Sequence, residues 1–251
     1  MDKKYLIMLP GWGMKSFVWN KISKQLSEDF ELIYVEWEDI HSLDEFNERV
    51  VQTIKQKQIS SFSLLGWSLG ALAAIETASD NIWDIEHLIL IGATSSFVER
   101  RESGYKTGWN KRVVERMKSR LNKTPKETLE NFYEAMFTEE EKKRGYHKEF
   151  LQMAEHQTET NSLALGLDYL IQKDVRAKLS DIDTPLLLIH GEEDCICPRE
   201  SAEYIKGAAK SAVMEVIGKG GHIPFFTNPD GCYNAITKFT RKISEDEKDD
   251  R

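Results

Sequence analysis

The 251-residue chain is poor in cysteine, in long apolar runs and in positive charge. Cys195, Cys197 and Cys232 are its only cysteines. So sparse and odd a set excludes a disulfide framework and fits a reducing cytoplasm. Cys195-x-Cys197 has no second pair and no histidine at ligand spacing, so no metal and no cofactor are expected. No run approaches the ~20 apolar residues that cross a bilayer. The start, MDKKYLIMLPGWG, is charged, but only Tyr5 to Leu9 are apolar, too few for the apolar region of a signal peptide. Lys and Arg total 34 against 42 Asp and Glu, a net charge of −8, which argues against the basic surface of a general nucleic-acid binder. Internal repeats and low-complexity linkers are absent as well. What remains, 40% hydrophobic and 30% charged residues, is the composition of a globular chain. Its length allows roughly three quarters of the unfolded surface to be buried, in one large α/β domain or two small ones.

Six short apolar runs read as strands: Tyr5–Leu9, Leu32–Val35, Phe62–Leu65, Leu88–Ile91, Leu186–Ile189 and Val213–Ile217. They are continuous or nearly so, as strands covered on both faces are. Helical patterns separate them. Leu43, Phe46, Val50, Val51 and Ile54 share one helix face, as do Cys232, Ile236, Phe239 and Ile243. The second of these helices has Asn228 as its cap and Pro229 in its first turn. Strand and helix in alternation predict a mostly parallel sheet of about six strands with helices on both faces. The alternation stops between residues 95 and 181. There Trp109, Val113, Met117 and Leu121 recur every four residues, and Leu129, Phe132, Tyr133 and Met136 form another helical face. The expected division is a core of residues 1–94 and 182–243, a helical cap inserted at 95–181, and a frayed polar tail at 244–251.

Gly66-Trp67-Ser68-Leu69-Gly70 follows one strand and opens a helix, the setting of a nucleophile elbow. The glycines permit a turn tight enough to present Ser68 Oγ at the carboxyl end of the sheet. A serine hydroxyl needs an adjacent base, and that base needs a carboxylate to orient it. His222, in Gly220-Gly221-His222-Ile223-Pro224 after the last strand, is the candidate base. His190 ends a strand and reads as a buried, hydrogen-bonded residue. His41, His87, His147 and His156 read as solvent-facing. The acid is expected in Gly191-Glu192-Glu193-Asp194, with Asp194 preferred over its two neighbours; Gly92-Ala93-Thr94-Ser95 offers none. The charge developing on a substrate carbonyl calls for preorganised donors. The backbone N–H of Leu69, and that of Trp12 in Pro10-Gly11-Trp12-Gly13, are placed to supply them.

Over nearly its full length the chain resembles the α/β-hydrolases. Within them it is most similar to the pimeloyl-[acyl-carrier protein] methyl ester esterases of biotin synthesis, on Gly11-Trp12-Gly13 with Trp19, the Gly-Trp-Ser-Leu-Gly elbow, Gly191-x-x-Asp194…Pro198 and Gly221-His222-x-Pro224-Phe225. The chain departs from that pattern at Pro10, where the family usually has histidine, and lacks the usual leading hairpin. The resemblance implies a monomeric, cytoplasmic serine carboxylesterase without a cofactor. It also implies a cap that places Phe132, Tyr133 and Met136 over the site and uses basic residues, here Arg144 and Lys148, to meet the carrier protein. Glu127 and Asn131 stand where arginines are usual. Residues 95–123 hold nine basic and three acidic residues, a local charge of +6 in an acidic chain, which suits an acidic partner. The competing readings are a broad short-chain carboxylesterase, a menaquinone-pathway-type C–C lyase on the same fold, and an inactive binding protein.

Overall fold

The computed structural model describes residues 3–154 and 160–249. Six strands form one sheet: β1 (Lys4–Leu9), β2 (Phe30–Tyr34), β3 (Ser61–Trp67), β4 (Asp84–Ile91), β5 (Leu186–Gly191) and β6 (Ala212–Ile217). Their order is β2-β1-β3-β4-β5-β6 and every pairing is parallel. The central strands are buried almost throughout, because helices cover both faces. Val213–Ile217, expected to be buried on both faces, instead lies at the sheet edge as part of β6, and Val213 is 51% exposed.

The helices of the core are α1 (Asn20–Asp29), α2 (Glu45–Lys57), α3 (Leu69–Ser79), α9 (Arg199–Ala208), α10 (Pro224–Thr227) and α11 (Pro229–Asp249). Phe46, Val50 and Ile54 are the buried face of α2. The rim of α11 follows the sequence signal: Asn228 Oδ1 accepts the Gly231 N–H at 3.1 Å. This helix continues through Ser244 to Asp249, so the expected frayed tail is helical over most of its length. Glu and Lys are good helix formers, and no glycine or proline interrupts the run.

Between β4 and β5 lie α4 (Lys111–Leu121), α5 (Pro125–Ala135), α6 (Glu139–Lys143), α7 (Tyr146–Ala154) and α8 (Thr160–Gln172). They form the cap. Its two stems meet where Ser96 bridges Asp174 and the Val175 N–H donates to the Ser95 carbonyl at 2.9 Å. Arg100 tightens the junction by donating to the carbonyls of Ile171, Gln172 and Lys173 at the end of α8. A buried cluster ties α8 to α3, in which Glu76 accepts from the Tyr169 hydroxyl and, at 2.7 Å, from Lys173 Nζ. Burial, with the Glu76 charge beside it, holds the Tyr169 hydroxyl well above its ordinary pKa. No helix among the described residues is long and apolar enough to cross a membrane.

Candidate active site

Ser68 sits between β3 and α3 at φ 55°, ψ −115°. That conformation is strained for a non-glycine residue, by about 1–3 kcal/mol. It persists because the turn has no slack. A Cβ on Gly66 would lie 2.4 Å from the Gly70 carbonyl oxygen, and one on Gly70 would lie 2.3 Å from that of Leu9.

The turn after β5 carries Asp194, the expected acid. Asp194 is buried, and its Oδ1 accepts the N–H groups of Ile196 and Cys197 at 2.8 and 2.9 Å. Its Oδ2 lies 2.7 Å from His222 Nδ1. The neighbouring carboxylates point elsewhere: Glu192 accepts the Lys219 N–H at 2.9 Å and Glu193 is exposed. Close approach of the two loops requires glycine at 191, where a Cβ would stand 2.0 Å from the Gly221 carbonyl oxygen, while a Cβ on Gly221 would stand 2.4 Å from the Met136 carbonyl oxygen.

His222 is fully buried. The carboxylate at Nδ1 fixes the proton there, which leaves the Nε2 lone pair free to act as a base. Nε2 makes no hydrogen bond among the described residues. The backbone of His222 is held from two sides. Its N–H donates to the Met136 carbonyl at 2.8 Å, and its own carbonyl accepts the Trp67 indole N–H at 2.9 Å. Next to it the Gly221 N–H donates to Glu141 Oε1 at 3.2 Å. The cap therefore positions the histidine.

It also braces residues 10–13, the loop expected to supply an oxyanion donor. Neither the Trp12 nor the Leu69 backbone N–H is taken by a backbone acceptor among the described residues. The Trp12 indole donates to the Leu163 carbonyl of α8 at 2.8 Å, and its ring meets Phe132 of α5 edge-on at 5.0 Å. Tyr133 donates its hydroxyl to the Gly13 carbonyl at 3.3 Å, and burial raises its pKa. From the core side, the Trp37 indole donates to the Pro10 carbonyl at 2.8 Å, so proline at this position leaves the loop well anchored.

A cavity of about 290 Å³ opens between α4 and α5. Trp109, Val113, Met117, Phe132 and Ile196 form its apolar wall, and Arg116 and Arg120 also line it. Its lining touches both halves of the site, because Phe132 meets Trp12 edge-on and the Ile196 N–H donates to Asp194. Of the three cap residues expected over the site, Phe132 lines this cavity. Tyr133 and Met136 do not; they brace the oxyanion loop and His222 instead. Arg144 and Lys148 are exposed and lie outside the cavity lining, with Arg144 stacked on Tyr146 at 5.0 Å.

The other histidines are accounted for individually. His190 is buried, with Nε2 2.7 Å from the Cys197 carbonyl oxygen. His41 is exposed and His147 half-buried. His87, expected at the surface, is buried within β4, 3.0 Å from Ser63 Oγ and against Phe239. His156 lies outside the described residues. Cys195 is exposed whereas Cys197 and Cys232 are buried. Sequence reasoning missed Glu141, Trp67 and Trp37. Only Glu141 carried a readable signal, the Thr138-x-x-Glu141 capping box that opens α6.

Fold and site together define a hydrolase. The family described as alpha/beta hydrolase fold matches residues 4–229, and the chain belongs to that family. A pimeloyl-[acyl-carrier protein] methyl ester esterase of Nitrosomonas europaea is 27% identical over 92% of this chain and 94% of its own length. The esterase of Exiguobacterium antarcticum superposes with a TM-score of 0.83 at 21% identity, over 96% of this chain and 92% of that one. A bromoperoxidase of Bacillus anthracis gives 0.84 at 19% identity over the same shares; these two similarities establish the fold alone.

Proposed function

We propose that the chain is a serine esterase that hydrolyses the methyl ester of a pimeloyl group carried on acyl-carrier protein. The observation that carries the reading is the buried 2.7 Å contact of Asp194 with His222 beside a strained Ser68. His222 Nε2 removes the Ser68 proton as Oγ attacks the ester carbonyl. The Leu69 and Trp12 N–H groups receive the oxyanion. His222 then protonates the departing methoxide, and methanol leaves. A water, activated by the same histidine, cleaves the acyl-enzyme and restores Ser68.

The substrate assignment is supported by the names of the relatives and by the cavity between α4 and α5. Its volume is at the lower end for ligand pockets and its wall is largely apolar, which suits a short acyl chain. The positive charge of residues 95–123 is partly neutralised within the fold, by ion pairs of Arg101 with Glu99 and of Lys118 with Asp168. Arg116 and Arg120 have no ion pair among the described residues and stand at the cavity. They are the cations best placed to meet an acidic carrier, with Arg144 and Lys148 further along the cap as secondary contacts.

The test is to incubate wild type and Ser68→Ala with the pimeloyl-carrier methyl ester and follow the free acid. Equal release by both would overturn the mechanism. Replacing Arg116 and Arg120 together by alanine should raise KM for the carrier ester about 10-fold or more while leaving an aryl acetate unaffected. Cleavage of the aryl ester alone, by wild type, would assign a broad carboxylesterase instead.

A further inference from the structure

The two-histidine arrangement around Asp194 goes beyond the triad. His190, the penultimate residue of β5, is fully buried. Its Nε2 is 2.7 Å from the Cys197 carbonyl oxygen. A carbonyl only accepts, so Nε2 carries the proton. The same nitrogen lies 3.5 Å from Asp194 Oδ2, the oxygen that meets His222 Nδ1 at 2.7 Å. Oδ2 is thus flanked by two N–H groups, one close and one more distant, while Oδ1 takes the Ile196 and Cys197 amides. His190 also closes the turn that carries the acid, since the Cys197 residue it holds by its carbonyl is bonded to Asp194 by its amide.

The other nitrogen is informative. Nδ1 of His190 is buried and makes no hydrogen bond among the described residues. An unpartnered buried nitrogen is unfavourable, and a leucine would fill the same place without it. The groups facing this imidazole are Asp194, His222, Arg199 and the Cys197 carbonyl; burial, the largest influence, keeps it neutral. A neutral ring directs a dipole at Asp194. A charged ring would compete with His222 for the carboxylate.

We propose that His190 is a positioning residue for hydrolysis: it acts through Asp194, holding the carboxylate and its turn in register with His222. The inference rests on the hydrolytic reading of the site and not on the carrier ester.

The experiment therefore uses an aryl acetate. His190→Gln places an amide N–H where Nε2 stands; His190→Asn places it too short to reach Cys197. Folding is checked by circular dichroism. The asparagine variant should lose about 2- to 10-fold in kcat, the worth of the lost hydrogen bond to the Cys197 carbonyl, with KM little changed. The acid limb of its kcat/KM profile should move to lower pH, because an imidazole less well paired with its aspartate protonates less readily. The glutamine variant should recover most of both. In an Asp194→Asn background, His190→Asn should add little, since residues acting as one unit are not additive. Equal behaviour of the two variants, or the full loss repeated in the Asp194→Asn background, would overturn the proposal. Where the asparagine variant does not fold, the glutamine variant decides alone: a displaced acid limb overturns the donor role and an unmoved one supports it. Wild type that neither cleaves aryl acetate nor reacts with a fluorophosphonate would instead remove the hydrolytic reading, and the role with it.

Discussion

Replacing Glu141 by glutamine tests whether the cap sets the catalytic base. Glu141 is buried and contacts no part of the α4–α5 cavity. One carboxylate oxygen accepts the Thr138 N–H at 2.8 Å and the other the Gly221 N–H at 3.2 Å, next to His222. A hydrogen bond to a charged group contributes about 1.5–3 kcal/mol. Glutamine keeps one acceptor and turns its NH₂ toward the other amide, so one bond is lost and two donors face each other. The expected loss is about 2–3 kcal/mol. For a chain of this size each kcal/mol corresponds to about 2–4 °C, which gives a melting point lower by about 4–12 °C. Displacement of the His222 loop should also lower kcat roughly 10- to 100-fold, because an error of about 1 Å at the reacting groups has that effect. KM should hold. Thr138→Ala is the comparator: it removes the hydroxyl that caps the Glu141 N–H, should cost about 1 kcal/mol, and should leave kcat close to wild type. Calorimetry and steady-state kinetics on an aryl acetate measure both quantities. An unchanged kcat in a Glu141→Gln variant, or an effect confined to KM, would refute the reasoning.

Gly166→Ala should lower kcat about 10-fold or more, since its Cβ would fall 2.5 Å from Trp12 Cδ1 and push the oxyanion loop. Helix propensity alone favours alanine by about 1 kcal/mol, so a gain in stability without loss of rate would contradict this. At pH 8 Ellman's reagent should titrate Cys195 alone, and all three thiols after unfolding, because burial pushes the thiols of Cys197 and Cys232 up, the latter to about 12. A thiol whose pKa is raised on folding binds its proton more tightly in the native state. Its contribution is therefore complete below about pH 9 and lost as pH rises toward about 12; denaturant midpoints measured across that range should fall.

Much of the candidate site could be read from local spacing. The elbow and the two loops that carry Asp194 and His222 are each defined by a few consecutive residues, and parallel topology brings them to one end of the sheet. Long-range supports were not readable. Met136 and Tyr133 share an apolar helix face in sequence, yet they act here through a backbone carbonyl and a hydroxyl on distant loops. The stripe of Trp109, Val113 and Met117 could be read only as a helix face, and it forms a wall of the cavity. His87 was misplaced because β4 begins at Asp84, four residues before the apolar run used to locate it. An irregularity in the β3–β4 pairing falls just before His87, and from there His87, Ile89 and Ile91 alternate onto one face, opposite Ser63, Leu65 and Trp67 of β3. Val213 was taken as interior because an edge strand and a central one can share the same short apolar run.

The braces on both catalytic loops bear on how such an insertion can be exchanged. A chimera that replaces residues 95–181 with the cap of another hydrolase would import a new cavity and discard the donors and acceptors at Met136, Glu141, Tyr133 and Leu163. Its core would retain Ser68 on the elbow, with Trp67 and Asp194 on His222 and Trp37 on Pro10, but both loops would lose their supports from the cap side. Val113 and Met117 of the cavity wall carry none of these braces and are open to change, whereas Phe132, Tyr133, Met136, Glu141 and Leu163 are tied to the two loops by their contacts.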